Sequence, residues 1–148
     1  MIRSSKEEHR SASREGKFAA TLLVVVGCFQ MLLAAGAPWG RAAYGGAHSG
    51  VLPQNLRISS AVAAAIYTGL AGVAGTRLAP TSIRSRFMYG TSALMAVGTI
   101  LNAASPSRVE RAIWTPVTIL LAINLWRAAK LDATAMRATD SGQRASQV

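Results

Sequence analysis

Four long segments of the chain contain no charged residue, and they restrict its fold more than any other feature. They cover residues 18–37, 58–76, 87–107 and 113–126. A helix needs roughly 20 consecutive apolar residues to cross the hydrocarbon core of a bilayer. Four such segments in a chain of 148 residues leave little sequence for a water-soluble core. We therefore predict an all-α fold, a bundle of four transmembrane helices.

Polar stretches between these segments predict the boundaries of the membrane domain. Pro38 ends the first helix, since proline cannot continue a helix without losing a backbone hydrogen bond. Ser107 and Glu110 have the spacing of a capping box at the start of the fourth helix. The predicted division is a basic polar tail at 1–17, a membrane domain at 18–131 and a polar, disordered tail at 132–148. The membrane domain contains helices at about 18–37, 58–78, 87–104 and 112–131, with an outer loop at 38–57.

The positive charges predict the orientation of the bundle. The chain has 16 Lys and Arg residues against 6 Asp and Glu residues, a formal net charge of +10. These charges lie at the ends of the apolar segments, where membrane topology places them, and not in a patch suited to nucleic acid. Twelve flank one predicted membrane face, which places both termini in the cytoplasm. The remaining four, Arg41, Arg57, Arg108 and Arg111, flank the other.

The stretch from Gly36 to Arg57 has an unusual composition for a connection between two apolar helices. It contains five glycines and two prolines, which favour tight backbone reversals. One interpretation is a contact surface for a lipid headgroup phosphate or a partner protein. The alternative is a structural loop that packs across the mouth of the bundle. The candidate contact residues are Trp39, Arg41, Tyr44, His48 and Arg57.

Uncharged polar and small residues inside the predicted spans have two interpretations each. Gln30 and Asn124 either form hydrogen bonds between helices or line a polar pocket for a ligand, because unsatisfied amides are costly in hydrocarbon. A stripe of small residues on the second helix either packs within the bundle or forms a homodimer interface. The stripe consists of Ala61, Ala65, Gly69 and Gly72.

The sequence contains no recognisable catalytic set. No acidic residue lies inside a predicted span, which disfavours proton-coupled transport. Cys28 is the only cysteine, and the histidines His9 and His48 are far apart, so neither a redox pair nor a metal site is predicted. We predict no catalytic residue and no cofactor.

Two stretches carry a resemblance to a known kind of protein. "GAPWGRAAYGG", followed by "GVLPQNLRISSAVAAAIY", resembles a pattern in small bacterial integral membrane proteins of unknown function. "SRVERAIWTPVTILLA" is similar to the third turn and fourth helix of the same group. The resemblance implies four spans and a first loop rich in Gly, Pro and Trp. It implies no activity.

Three functional hypotheses follow from the sequence. The first is a non-enzymatic accessory, scaffold or envelope component of the bacterial inner membrane that uses the loop as its contact surface. The second is a small-molecule or lipid carrier that works as a homodimer. The third is a membrane enzyme acting on lipid, with His48 as the only available base. The bilayer is the expected partner in each case, with a homodimer or a larger membrane complex as the possible assembly.

Overall fold

The structure, a computed structural model, describes residues 12–77 and 79–146. Within these residues it is all-α and contains no strand. Two single-turn 3₁₀ helices, Gly40–Ala42 and Tyr44–Gly46, lie in the loop between the first two α-helices. The four α-helices are α1 (Arg14–Ala35), α2 (Gln54–Gly75), α3 (Thr81–Ala103) and α4 (Arg108–Ala145).

All four α-helices begin before the apolar segments that predicted them, because the polar residues ahead of each segment are also helical. Ser13 caps α1, and its hydroxyl accepts a hydrogen bond from the Gly16 amide at 3.1 Å. Pro53 and Pro80 precede α2 and α3, where a missing backbone N–H costs nothing. Gly36 ends α1 in the left-handed conformation, with φ at 101°.

The end of α4 differs most from the prediction. A disordered tail is predicted from residue 132, but α4 continues to Ala145 and is 38 residues long, or about 57 Å. Residues 132–145 include four alanines and two arginines, which have high helix propensity. Asp132 is buried against the bundle and so extends the packed part of the helix past the apolar segment.

The helices pack as two hairpins. α1 lies along α2, α3 lies along α4, and contacts between α1 and α4 join the pairs. α2 and α3 follow each other in the chain, yet they hardly touch. This leaves a groove between α2 and α3. We call the side with the α1–α2 loop (residues 36–53) the loop end, and the side with the α2–α3 turn (residues 76–80) the terminal end.

The interior combines a few large apolar side chains, such as Leu23 and Leu121, with many small and polar ones. The interior holds many alanines, together with buried polar side chains such as Ser60, Ser85 and Ser92. Many large apolar side chains are exposed on all four helices, including Val25, Ile66 and Leu101. An exposed apolar surface of this extent is typical of a protein surrounded by lipid.

Three of the helices, α1, α2 and α4, are long and apolar enough to cross a membrane. Among the described residues, no fourth helix is both long enough and apolar enough. α3 is long enough at 23 residues, but Arg84, Arg86 and several Ser, Thr and Asn residues lower its hydropathy. Hydropathy therefore supports three spans directly.

Candidate functional site

The α1–α2 loop folds inward and packs on the start of α4. The Ser107 hydroxyl donates to the Arg41 carbonyl at 2.6 Å, and the Trp114 indole N–H donates to the Ala42 carbonyl at 2.7 Å. The Gly45 amide donates to the Glu110 carboxylate at 2.9 Å. These hydrogen bonds join residues 65 to 72 positions apart in the chain. The loop is thus a cap over the bundle and not a free connector.

Positive backbone φ angles allow the loop to turn back onto α4. Gly45 and Gly46 have φ of 75° and 71°, and Tyr44 has φ of 52°. A Cβ atom on Gly46 would lie 2.6 Å from the Ser107 Cβ, so only glycine fits there. The Tyr44 hydroxyl bonds to the Leu56 carbonyl and the Ser60 hydroxyl at 3.2 and 3.0 Å, which fixes Tyr44 on α2.

Some residues of the predicted loop surface make side-chain hydrogen bonds within the protein, and others do not. Tyr44 is partly exposed, but its hydroxyl forms a hydrogen bond with Ser60, and the Arg57 Nε donates to the Ala34 carbonyl at 2.9 Å. Trp39 is 46% exposed and stacks on Phe29, with ring centroids 6.1 Å apart. Arg41 is exposed and His48 is half-buried. Only part of the predicted set therefore remains available for an external partner.

Beneath the loop lies a partly enclosed cavity of about 350 Å³. All four helices and the loop contribute to it, and its wall is mainly apolar and aromatic. The Gln30 side-chain oxygen is buried and has no hydrogen-bond partner among the described residues. The cavity is lined by Val26, Phe29, Gln30, Ala42, Ala43, Tyr44, Ala63, Tyr67, Met95, Asn102, Glu110, Trp114, Thr118 and Leu121.

The structure separates the two predicted pocket residues. Gln30 lines the cavity, whereas Asn124 does not. The Asn124 side-chain amide instead donates to the Leu120 carbonyl of its own helix at 2.8 Å. Asn124 thus satisfies one of its amide donors within its own helix.

Glu110 is the most informative residue of the cavity, although its position in the sequence predicted only a helix cap. It is buried, and one carboxylate oxygen, Oε2, accepts from the Gly45 amide and the Ser105 hydroxyl. The other oxygen, Oε1, has no hydrogen-bond partner in the part of the chain that the structure describes. No Lys or Arg of that part forms an ion pair with Glu110. The carboxylate therefore lines a cavity without a protein cation to balance it.

The capping box predicted at Ser107 and Glu110 forms in a modified way. The Ser107 hydroxyl accepts from the Glu110 amide at 3.3 Å, as predicted. The reciprocal bond is made by a different residue, because the Ser107 amide donates to the Ser105 hydroxyl at 3.2 Å. Because the Ser105 hydroxyl accepts this bond, the Glu110 carboxylate is free to reach the loop and the cavity. Spacing along the chain predicted the cap but not the direction of this side chain.

Aromatic rings surround the same cavity. Phe29 and Trp114 lie with their ring centroids 4.6 Å apart in a tilted arrangement, and Tyr67 and Tyr44 also line the wall. Aromatic faces attract cations, and a carboxylate in an apolar pocket attracts them more strongly. The combination suits a small molecule with an apolar body and one positive charge.

The terminal end holds a second buried charge, which is fully paired. Arg84 is 1% exposed and forms an ion pair with Asp132, which is 3% exposed. Its guanidinium also donates to the Val73 and Ala74 carbonyls, at 3.0 and 2.8 Å, at the end of α2. A Cβ on Gly16 of α1 would lie 2.7 Å from the Ala74 oxygen. All four helices therefore meet around Arg84.

The stripe of small residues on α2 faces away from the bundle. Ala61, Ala65, Gly69 and Gly72 are all exposed. A Cβ at Gly69 or Gly72 would meet no atom within 4 Å. Packing within the bundle, one of the two predicted roles, is therefore wrong, and the homodimer role stays a prediction.

No protein-family model, curated protein or solved structure matches this chain.

Proposed function

We propose that the chain is a multi-pass membrane protein in which α3 forms the fourth span. Arg84, Ser85 and Ser92 lower the hydropathy of α3, but all three are buried and hydrogen-bonded inside the bundle. Its exposed side chains include Leu94 and Ile100. Polar groups that are satisfied internally do not prevent a helix from facing lipid with its apolar side.

The proposed orientation places the terminal end in the cytoplasm. It follows from the excess of basic residues near that end, including Arg14, Lys17, Arg77 and Arg127. The resemblance of the loop to small bacterial membrane proteins supports the bacterial inner membrane as the location. In this orientation the loop and the cavity beneath it face outward.

The function that the geometry favours is the binding of a small amphipathic cation in the loop-end cavity. One observation carries this proposal: Glu110 lines an aromatic cavity of about 350 Å³, and its Oε1 atom has no hydrogen-bond partner among the described residues. That volume is within the range of small-molecule pockets, roughly 300–1,000 Å³. Two hydrogen bonds and the start of α4 compensate this carboxylate only in part, and a cationic ligand would add the missing counter-charge.

Equilibrium dialysis of the full chain in lipid nanodiscs tests this proposal, with benzyltrimethylammonium as the probe and empty nanodiscs as the blank. We expect saturable binding at one site per chain. Glu110→Gln should weaken it at least about tenfold, equivalent to 1.4 kcal/mol, because the variant removes the charge and keeps an oxygen acceptor. Phenylacetate, which carries the opposite charge, should not compete.

Glu15→Gln is the matched control for this experiment. Glu15 lies in the first turn of α1 at the terminal end, and its replacement changes the net charge by the same amount. Binding should be unchanged in this variant. Equal losses in the Glu110 and Glu15 variants would indicate general surface electrostatics, and the absence of saturable binding would remove the proposed function.

A contact role for the α1–α2 loop is the second candidate. The exposure of Trp39 and Arg41 favours it, because neither side chain is used to hold the loop on α4. A photoreactive residue in place of Arg41 should then yield one discrete crosslinked protein partner in native membranes. Crosslinks to lipid alone would exclude a partner protein at the loop and leave the cavity proposal unaffected.

A further inference from the structure

The groove between α2 and α3 has a chemical character different from that of the cavity. Its volume is about 640 Å³, and its wall consists mainly of aliphatic and aromatic side chains. Six of its eight lining residues belong to α3 and follow one face of that helix. The lining residues are Ile66, Leu70, Ile83, Arg86, Phe87, Gly90, Thr91 and Leu94.

Among the residues that the structure describes, Arg86 is the only charged one that lines this groove. It is exposed, and it makes no hydrogen bond or ion pair with any residue that the structure describes. Arg84, two positions earlier, is buried and satisfied by Asp132 and two carbonyls. The two arginines of α3 therefore have opposite environments, and only Arg86 is available to a molecule outside the bundle.

The position of Arg86 matches the dimensions of one lipid leaflet. Arg86 lies near the start of α3, at the terminal end, and the groove continues along α3 to Leu94. These eight residues of helix span about 12 Å. One leaflet contributes about half of the roughly 30 Å hydrocarbon core. A groove with a cation at its interfacial end and apolar walls of this length suits a headgroup with its acyl chain.

We propose that the α2–α3 groove is a binding site for an anionic phospholipid of the leaflet at the terminal end. Arg86 binds the lipid phosphate, since a guanidinium presents paired N–H donors in the geometry of phosphate oxygens. One acyl chain lies along Phe87, Gly90 and Leu94. Ile66 and Leu70 of α2 form the opposite wall.

Gly90 makes room for the acyl chain. A Cβ at this position would meet no atom within 4 Å, so the backbone of α3 is bare on the groove side. A larger side chain would occupy the groove without disturbing the bundle. This property provides a way to block the lipid sterically while leaving every charge in place.

Native mass spectrometry of the intact protein tests the site, with dioleoylphosphatidylglycerol against dioleoylphosphatidylcholine as chain-matched probes. We expect one tightly held phosphatidylglycerol per chain and at least about tenfold preference over phosphatidylcholine. Arg86→Gln should abolish that preference. Gly90→Leu should reduce retention of both lipids, because it fills the groove.

Two matched controls separate this site from general effects. Arg127→Gln removes an equal charge from the same end of the molecule, and Gly69→Leu adds an equal side chain to the exposed face of α2. Both should retain the lipid as the unchanged protein does. Equal losses in the Arg86 and Arg127 variants, or unchanged retention in Gly90→Leu, would overturn the proposal.

Discussion

The two ends of the bundle bury acidic groups in opposite ways. At the terminal end, Asp132 is paired with Arg84, and the guanidinium is further satisfied by two backbone carbonyls. At the loop end, Glu110 is held by a backbone amide and a hydroxyl, with no cation partner among the described residues. A charge that is fully compensated inside the protein acts as a structural link. One that is only partly compensated, and that lines a cavity, is available for a ligand.

The largest expected effect is the loss of the terminal-end pair. Arg84→Met should destabilise the protein by roughly 3–5 kcal/mol, because Asp132 would remain buried without its cation. Chemical unfolding in detergent micelles measures this change. Arg127→Met, which alters an exposed arginine at the same end, is the control and should change stability little.

The double variant Arg84→Met/Asp132→Leu sharpens the interpretation of that loss. Replacing both members of a buried pair by apolar residues is often neutral, so much of the lost stability should return. A double variant that is as unstable as the single one would show that the carbonyl bonds of Arg84, and not the ion pair, join the helices.

The second effect concerns the loop that holds Glu110 in place. Gly46→Ala should destabilise the protein by about 1–3 kcal/mol, because a side chain at φ of 71° is strained and its Cβ would collide with Ser107. It should also weaken cation binding, since the loop forms part of the cavity wall. Gly50→Ala, where a Cβ meets nothing within 4 Å, provides the comparison and should leave both properties unchanged.

Conservative amide substitutions compare the two acids directly. Glu110→Gln should change the free energy of unfolding by less than about 1 kcal/mol, because the amide oxygen can still accept from the Gly45 amide and the Ser105 hydroxyl. Asp132→Asn should cost several times as much, since it leaves Arg84 buried without a counter-charge. Thermal unfolding of the two variants beside the unchanged protein gives the ratio. Equal costs at both positions would contradict the division into a structural and a binding end.

The smallest effect is expected between the two ends, on the exposed stripe of α2. Gly69→Leu should leave the stability of the isolated chain within about 0.5 kcal/mol, since its side chain would enter open space. Sedimentation in detergent reports the oligomeric state of the same variant. A homodimer that packs through this stripe would dissociate, whereas a monomer would be unaffected.

Much of the helical architecture follows from the sequence, because charge-free segments and the helix-ending residues between them are local signals. Residues 18–37 and 58–76 fall almost entirely within α1 and α2, and Ser107 caps α4 as its spacing predicts. The burial of Asp132 in α4, which the sequence does not predict, depends on its contact with Arg84, 48 positions away. Local composition contains no information about that contact.

Tertiary structure alone decided which charges are buried and what surrounds them. From the sequence, Glu110 and Asp132 are polar residues outside the apolar segments, and Arg84 and Arg86 are equivalent members of one basic turn. The loop packs on α4 at Glu110, which lines the cavity. Arg84 and Arg86 lie on different faces of α3, so Arg84 is buried in the bundle and Arg86 lines the outer groove. Hydropathy depends on the sum of side chains in a segment, whereas burial depends on the direction in which each side chain points and on the element that it meets. For this reason the sequence determined the helices, and the packing of those helices determined the candidate sites.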